Sequence, residues 1–499
     1  MLTATLVLEP TFLIGPINRR IFGGFVEHMG RCIYTGIYEP DHPSADEDGF
    51  RTDVLNLVRE IGITIVRYPG GNFVSGFRWE DSVGPVQERP TRLDPAWRSV
   101  ESNQFGLDEF IRWCRKANVE PMLAINLGTR GTQEAIDLWE YCNHAGGTFW
   151  SDRRRRHGAD RPYDIRMWCL GNEMDGPWQL GHKSADEYGR LAATTARALR
   201  QFDPALELVA CGSSNRQMPT FGSWEATVLE HAYDDVDFIS AHAYYEDLGD
   251  TASFLASSVN MDIFIHDVVS SADYARAKLG RSKRINISFD EWNVWYESRF
   301  ASQVREGWQT APRISEDLYT VADAVVVGSL LITLLRHCDR VTSACLAQLV
   351  NTLSPIRTEP DGLAWRQTTF YPFALTARHA KGNVLRVEPQ TPTYETAAYG
   401  EVPVIDATAT HDPETGDMTI LAVNRHQSEP VRVQVRTASL GNVGLQEACT
   451  LTDDDPLAVN SEGDPHRVVP TPIQAVVEQD AVLVELPPVS WTCLRLATG

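Results

Sequence analysis

The sequence predicts a (β/α)8 TIM barrel followed by a C-terminal, jelly-roll-like β-sandwich, an α/β chain of two domains. Three observations carry that reading. Short apolar runs alternate with helix-periodic stretches from about residue 17 to residue 382. Two of those runs, Trp168-Cys169-Leu170-Gly171-Asn172-Glu173 and Ile285-Asn286-Ile287-Ser288-Phe289-Asp290-Glu291, end in a glutamate. Beyond Gly382 the helical period disappears and period-two alternation takes over, as in Val431-Arg432-Val433-Gln434-Val435. The expected domains are 17–382 for the barrel and 383–499 for the sandwich, with residues 1–16 supplying a strand that joins the sandwich.

Each element has a local reason. Ile21 to His28 is a glycine-tolerant apolar run ending in polar groups, the first barrel strand. Val54, Leu57, Val58 and Ile61 are spaced for one helix face behind Thr52 or Asp53 as cap. Thr64 to Tyr68 forms the second strand and runs into Pro69-Gly70-Gly71-Asn72, where the glycines allow unusual backbone angles. Helix two is expected over Leu107–Asn118, strand three over Pro121–Asn126 and helix three over Gln133–Tyr141, before strand four delivers Glu173. Ser184-Ala185-Asp186-Glu187 is a capping box that opens helix four. Strand five is Leu206–Cys211, strand six Phe238–Tyr244, and a helix from about Asp262 to Leu279 leads to strand seven and Glu291. Ala322 to Leu335 is apolar throughout but shorter than the ~20 residues that span a bilayer, so it fits a packed barrel helix. Strand eight is Ala344–Leu349, and a last helix near Thr368–Lys381 stops at Gly382. In the sandwich, Met418–Asn424 and Ala481–Leu486 read as strands, with Thr415-Gly416-Asp417 as a turn.

A net charge of −22 and a pI near 5.0 disfavour nucleic-acid and anionic-membrane partners. The one basic cluster, Arg153 to Arg156, reads as a solvated loop. The first ten residues lack a basic segment and meet Glu9 and Pro10 early, unlike a secretory signal, so a cytoplasmic protein is expected. Nine cysteines, odd in number and without a Cys-x-x-Cys pair, read as buried reduced thiols. No His/Asp/Glu spacing in the sequence marks a metal site, and the Gly70-Gly71 turn is too short for a phosphate loop; no cofactor is expected.

In a parallel barrel the strand C-termini share one mouth, so Glu173 and Glu291, 118 residues apart on strands four and seven, face a common cavity. Two carboxylates so placed can divide the work of glycosidic cleavage, one protonated to serve the leaving oxygen and one ionised to attack the anomeric carbon. Glu173, between Asn172 and the apolar Trp178, takes the acid/base part. Glu291, with Arg67, His242 and Tyr244 as donors from neighbouring strands, takes the nucleophile's part. Retention of anomeric configuration then requires carboxyl groups about 5–5.5 Å apart. Glu27, Asn72 and Gln348 also stand at strand ends and are candidates for sugar hydroxyls. Trp178 and Trp295 can stack on a sugar or pack, whereas Trp97 reads as packing.

Gly171-Asn172-Glu173-Met174-Asp175-Gly176-Pro177-Trp178 together with Phe289-Asp290-Glu291-Trp292-Asn293 resembles the α-L-arabinofuranosidases of glycoside hydrolase family 51. Phe22 to His28, Arg67 to Asn72, His242-Ala243-Tyr244-Tyr245 and Ala347 to Asn351 resemble the same family, so the likeness runs nearly full length. It implies a retaining, exo-acting enzyme on arabinose-containing oligosaccharides or polysaccharides. Glu173 would be acid/base, Glu291 nucleophile, and Glu27, Asn72, Asn172, Tyr244 and Gln348 would surround the terminal arabinofuranose. It also implies no cofactor and a homo-oligomer, commonly a hexamer. Ala243 departs from the larger polar residue expected there and would loosen the local wall. An endo-β-glycanase of the same clan shares the acids but needs a long aromatic cleft, and a noncatalytic sugar-binding protein needs no opposed carboxylates.

Overall fold

Eight parallel strands close into a barrel in chain order: Gly23–Phe25, Ile65–Tyr68, Glu120–Ala124, Met167–Leu170, Glu207–Ala210, Phe238–Tyr245, Asn286–Val294 and Val341–Ala347. The eighth returns to the first through the pairs Cys345–Gly23 and Ala347–Phe25. This architecture comes from a computed structural model, which describes residues 2–303 and 307–498. The strands are apolar on both faces because both faces are covered. Phe25, Ile65, Met122, Met167, Val209 and Phe238 fill the interior, while the outward side chains pack beneath a ring of helices.

One major helix follows each strand: Thr52–Ile61, Leu107–Ala117, Thr132–Asn143, Ala185–Phe202, Ser223–Ala232, Ser257–Leu279, Val321–Arg336 and Phe370–His379. Ser184 caps the fourth as its sequence requires: its hydroxyl accepts from the Glu187 N–H, and the Glu187 carboxylate accepts from the Ser184 N–H. The seventh, Val321–Arg336, is buried on nearly every side because it lies between the barrel and the C-terminal sheets. Its apolar composition therefore reflects two protein partners. Gly328 makes this possible, since a Cβ there would fall 2.2 Å from Trp491 Cδ1 of the last strand, Ser490–Thr498.

Two sheets make up the C-terminal β-rich domain. One holds Leu2–Val7, Val431–Arg436, Ala481–Leu486 and Ala475–Glu478; the other holds Leu13–Pro16, Asn383–Leu385, Ile405–His411, Asp417–Asn424, Ser490–Thr498, Val443–Leu451 and Thr471–Pro472. Ala4 and Leu6 from the chain's start share a core with Val433, Val484, Ala407 and Ile420. The barrel is tied to these sheets by a buried polar cluster in which Arg425 donates to Asp406 at 2.6 Å, joined by Arg336, Ser258 and Ser329.

Several local expectations are corrected. Arg153 to Arg156 belong to a helix, Phe149–Arg156, and Arg154 is fully buried, donating to the carbonyls of Tyr141, His144 and Ala145; its stem and donors do structural work that a solvated loop would not. Neither Thr52 nor Asp53 caps helix one; Arg51 occupies the cap without a side-chain bond, because the Asp53 carboxylate is engaged by Ser44 and Arg51. The helix Ser223–Ala232 has no counterpart in the sequence reading, although Trp224, Val228, Leu229 and Ala232 carry its buried face. The last helix ends at His379, and Gly382 serves instead where the chain passes the His411 carbonyl at a positive φ. Ala243 packs outward into the helix-layer core, on the strand face opposite His242 and Tyr244, so it does not loosen the mouth. All nine cysteines are unpaired and buried. Among the described residues no helix is long and apolar enough to cross a membrane.

Gly328→Ala is expected to destabilise the protein by about 1–3 kcal/mol through overpacking against Trp491, even though alanine is the better helix former by about 1 kcal/mol. A lowered urea midpoint at unchanged slope would register it.

Candidate active site

Strand seven sets the geometry. Ser240 of strand six pairs with Ser288, but His242 pairs with Glu291, so strand seven carries one extra residue between those points. The same extra residue shows against strand eight, where Phe289 pairs with Ala344 and Trp292 with Leu346. Such a bulge re-aims the side chains that follow it. Without it Asp290 and Glu291 would point to opposite faces. With it both reach the mouth, and Trp292 turns outward to stack on Phe373. Strand four ends differently: Glu173 has a φ of 44°, an uncommon left-handed conformation for a residue with a side chain, just after Gly171 at 99°. The glycines at 70 and 71 are required by close approach and not by positive φ. A Cβ on Gly70 would lie 2.6 Å from Glu27 Cγ, and one on Gly71 2.9 Å from Glu291 Oε1.

Around Glu291, Arg67 donates to Oε1 at 2.7 Å and Tyr244 Oη to Oε2 at 2.8 Å. His242 departs from its expected place as a Glu291 donor. Its Nδ1 lies 2.9 Å from Glu173 Oε1 and its Nε2 2.8 Å from Asp290 Oδ1, with Glu291 at 3.7 Å. Asn172 accepts from Arg67 at 2.7 Å, while its buried Nδ2 has no partner among the described residues. Gln348 donates to Glu27 Oε2 at 3.2 Å. Asn72 is half-buried at the start of a short turn, Asn72–Gly76, and its side chain makes no hydrogen bond among the described residues. Trp178, half-exposed, donates its indole N–H to Glu173 Oε2 at 2.8 Å. Trp295 packs edge-on against Tyr244, with centroids 5.2 Å apart. An oxygen of Glu173, a ring nitrogen of His242 and an oxygen of Glu291 all lie within 4.8 Å of one another.

Two residues with no assigned role in the sequence reading prove central. Asp290 is fully buried between His242 and Arg67, the latter's Nε 3.9 Å away. Trp97, expected only to pack, donates its indole N–H to Glu27 Oε1 at 2.9 Å. The signal for Asp290 was its place beside Glu291, but alternation argued that only one of the two could face inward. Nothing in the sequence ties Trp97 to Glu27, since that contact joins two loops.

Burial raises the Glu173 carboxyl above the ordinary range, and the Glu291 charge adds to it, against the lowering bond from His242. Burial and the Glu291 charge push Glu27 to about 8, despite donors from Phe73 N–H and Trp97. His242 moves the other way: burial opposes its charge, but Glu291, Asp290 and Glu173 together raise it to about 10. Asp290 is lowered although burial opposes its charge, because Arg67 and His242 flank it. Two cations, Arg67 and His242, thus face four acids, of which Glu27 and Glu173 are biased toward the protonated form. Such a mouth offers one proton donor and one well-held carboxylate within a sugar's width of each other. The three donors of the Glu173, His242 and Glu291 group are close enough for a cation, yet their hydrogen bonds to Asp290, Arg67, Tyr244 and Trp178 already occupy much of their capacity.

Two family descriptions match the chain: "Alpha-L-arabinofuranosidase 1 domain" over residues 57–251 and "Alpha-L-arabinofuranosidase C-terminal domain" over residues 290–490. An intracellular exo-α-(1→5)-L-arabinofuranosidase from Streptomyces lividans is 56% identical over 100% of this chain and 76% of its own length. An exo-α-(1→6)-L-arabinofuranosidase from Bifidobacterium longum is 54% identical over 98% of this chain and 97% of its own. Among solved structures, a family 51 α-L-arabinofuranosidase from Bifidobacterium longum superposes with a TM-score of 0.96 at 48% identity, covering 99% of both chains. An arabinose complex of an α-L-arabinofuranosidase from Thermotoga maritima gives 0.88 at 34% identity, covering 99% of both chains.

The raised His242 value carries a sign. Its charged-state contribution to stability is complete below the unfolded value near 6.5 and is lost as pH rises through about 10. The stability gap between the wild type and His242→Gln, measured by denaturant unfolding, should therefore be widest below pH 6.5 and narrow steadily toward pH 10.

Proposed function

Because the chain belongs to glycoside hydrolase family 51, among the α-L-arabinofuranosidases, we propose that it is an exo-acting, retaining enzyme that removes terminal non-reducing α-L-arabinofuranosyl residues from arabinan, arabinoxylan or derived oligosaccharides. The single observation that carries the mechanism is the approach of Glu173 and Glu291 to within 4.8 Å at their nearest oxygens. That approach is compatible with the ~5–5.5 Å carboxyl separation of a nucleophile and acid/base pair, the arrangement that retains configuration.

Glu291, aimed by Arg67 and Tyr244, attacks the anomeric carbon while Glu173 gives its proton to the departing glycosidic oxygen. The bond from carbon to that oxygen breaks, and an ester of arabinofuranose with Glu291 forms. Glu173 then takes a proton from water, whose oxygen displaces Glu291 and restores the original anomeric configuration. The raised Glu173 supports the first step, and loss of the Glu291 negative charge on esterification lowers Glu173 again for the second. Glu27, Asn72, Asn172 and Gln348 are the proposed hydroxyl partners, and the unpaired Nδ2 of Asn172 is a donor with a bond to give to the sugar. His242 spans Glu173 and Asp290 and holds the acid in place. Trp178 reaches Glu173 from the solvent side, where the leaving group departs.

The same proposal places the protein in the cytoplasm, in keeping with the word intracellular in the names of relatives from Streptomyces lividans and Bacillus subtilis. It keeps the homo-oligomer, a hexamer by family resemblance, and the division into 1–16, 17–382 and 383–499, which the strand pairings of the N-terminus support.

Hydrolysis of p-nitrophenyl α-L-arabinofuranoside beside the β-D-xyloside and β-D-glucoside tests the reaction. Strong arabinofuranoside turnover is expected; cleavage of only the β-glycosides, or of internal polymer bonds, would sink the proposal. Glu291→Ala should abolish turnover and, with azide, yield the glycosyl azide of inverted configuration. Glu173→Ala should slow poor leaving groups by about 10²–10⁴-fold and spare activated ones. Azide rescue confined to the Glu173 variant, with inverted product, would reverse the two roles.

A further inference from the structure

Away from the mouth, three metal-ligating side chains converge between two helices. Asp262 and His266 stand four apart on Ser257–Leu279 and so share one face. His337 closes the C-terminus of Val321–Arg336, the neighbouring helix. One donor atom from each of the three lies within 4.8 Å of the other two. His337 Nε2 is 2.9 Å from Asp262 Oδ1, and His266 Nδ1 is 3.5 Å from Asp262 Oδ2. The two imidazoles meet edge to face, centroids 4.7 Å apart at 84°. We propose that Asp262, His266 and His337 form a site for a divalent transition-metal ion of the zinc class, joining the helices before barrel strands seven and eight.

The donor set, two imidazole nitrogens and one carboxylate oxygen, suits zinc, cobalt, nickel or copper better than the all-oxygen preference of magnesium or calcium. With metal–ligand bonds of about 2.0–2.2 Å, tetrahedral donors stand about 3.3–3.5 Å apart. His266 Nδ1 and Asp262 Oδ2 already stand 3.5 Å apart, and the 2.9 Å approach of His337 to Asp262 must open by a few tenths of an ångström to reach the ~3.3–3.5 Å of that geometry. The nearest strong cation does not compete, because the Arg336 guanidinium is turned to Asp406 and Thr333. His266 Nδ1 also donates to the Asp262 carbonyl at 2.9 Å, a bond that ligation through Nδ1 would replace as its proton leaves; the side chain is otherwise largely in solvent, 65% exposed, so water can fill the remaining coordination positions. His337 is held more firmly, at 12%. The site is distant from the chemistry. His337 precedes strand eight, whose first residues pair with the start of strand seven, whereas the catalytic groups occupy the opposite ends of those strands. An ion here acts as a clasp between two helices and takes no part in turnover.

The test uses the full chain, freed of metal by chelation and equilibrated with zinc chloride alone, with bound zinc counted per chain and the thermal midpoint followed. The wild type should hold one more zinc per chain than either His266→Ala or Asp262→Asn, and its midpoint should rise with zinc where theirs do not. Both variants should keep wild-type turnover. Because the His266 side chain is mostly in solvent, His266→Ala decides the matter even if Asp262→Asn fails to fold. Equal zinc counts in wild type and His266→Ala would overturn the proposal, as would a count that falls only in Glu291→Gln, which would place the ion among the catalytic carboxylates.

Discussion

Four carboxylates and two cations are buried together at the C-terminal mouth of the barrel, and this concentration of charge is what the rest of the fold must sustain. Glu27, Glu173, Asp290 and Glu291 would each be costly to desolvate alone. Arg67, itself almost wholly buried, reaches Glu291 and Asn172 and lies beside Asp290. His242 bridges Glu173 and Asp290. Asp290 thus has a purpose that a count of catalytic groups misses: its negative charge, added to that of Glu291, helps a histidine and an arginine stay positive beside Glu173.

Such a cluster persists only if the surrounding frame prevents relaxation. The barrel interior beneath it is filled by Phe25, Ile65, Met122 and Met167, an apolar floor that offers the carboxylates no hydrogen-bonding partner to turn toward. Above, the backbone at Gly70 and Gly71 crosses directly over Glu27 and Glu291. Glu173 is presented from a left-handed backbone position, a cost that its surroundings must hold in place. The bulge in strand seven then supplies the last element of aim, bringing two successive acidic side chains to one face.

The helix Val321–Arg336 links this frame to the C-terminal sheets. It seats Trp491 at Gly328 and contributes Arg336 and Ser329 to the polar cluster around Asp406 and Arg425. Its N-terminal half also carries Asp323, whose carboxylate both caps the helix at Thr320 and accepts from Tyr296, just beyond strand seven. One helix therefore touches the sandwich, the strand that bears Glu291 and the proposed metal clasp. Packing between domains and the placement of the site are mechanically connected through it.

The strand–helix alternation, the placement of Glu173 and Glu291 at strand ends and the change to a β-rich C-terminus were all legible in the sequence, because hydrophobic period and chain spacing are local properties. Arg67 and Tyr244 as holders of Glu291 were legible for the same reason: both lie at the mouth ends of their strands. What only the tertiary structure decided depends on distances between segments far apart in the chain. His242 faces Glu173 and Asp290 because a one-residue bulge shifts the register of strand seven. Trp97 meets Glu27 because two loops fold over the mouth. Arg154 is buried because carbonyls from a neighbouring helix end await it, and Asp262, His266 and His337 converge although 71 residues separate the two histidines. Periodicity determines which face a residue occupies, but a bulge, a loop crossing or a helix contact determines which charges meet, and those depend on the folded chain as a whole.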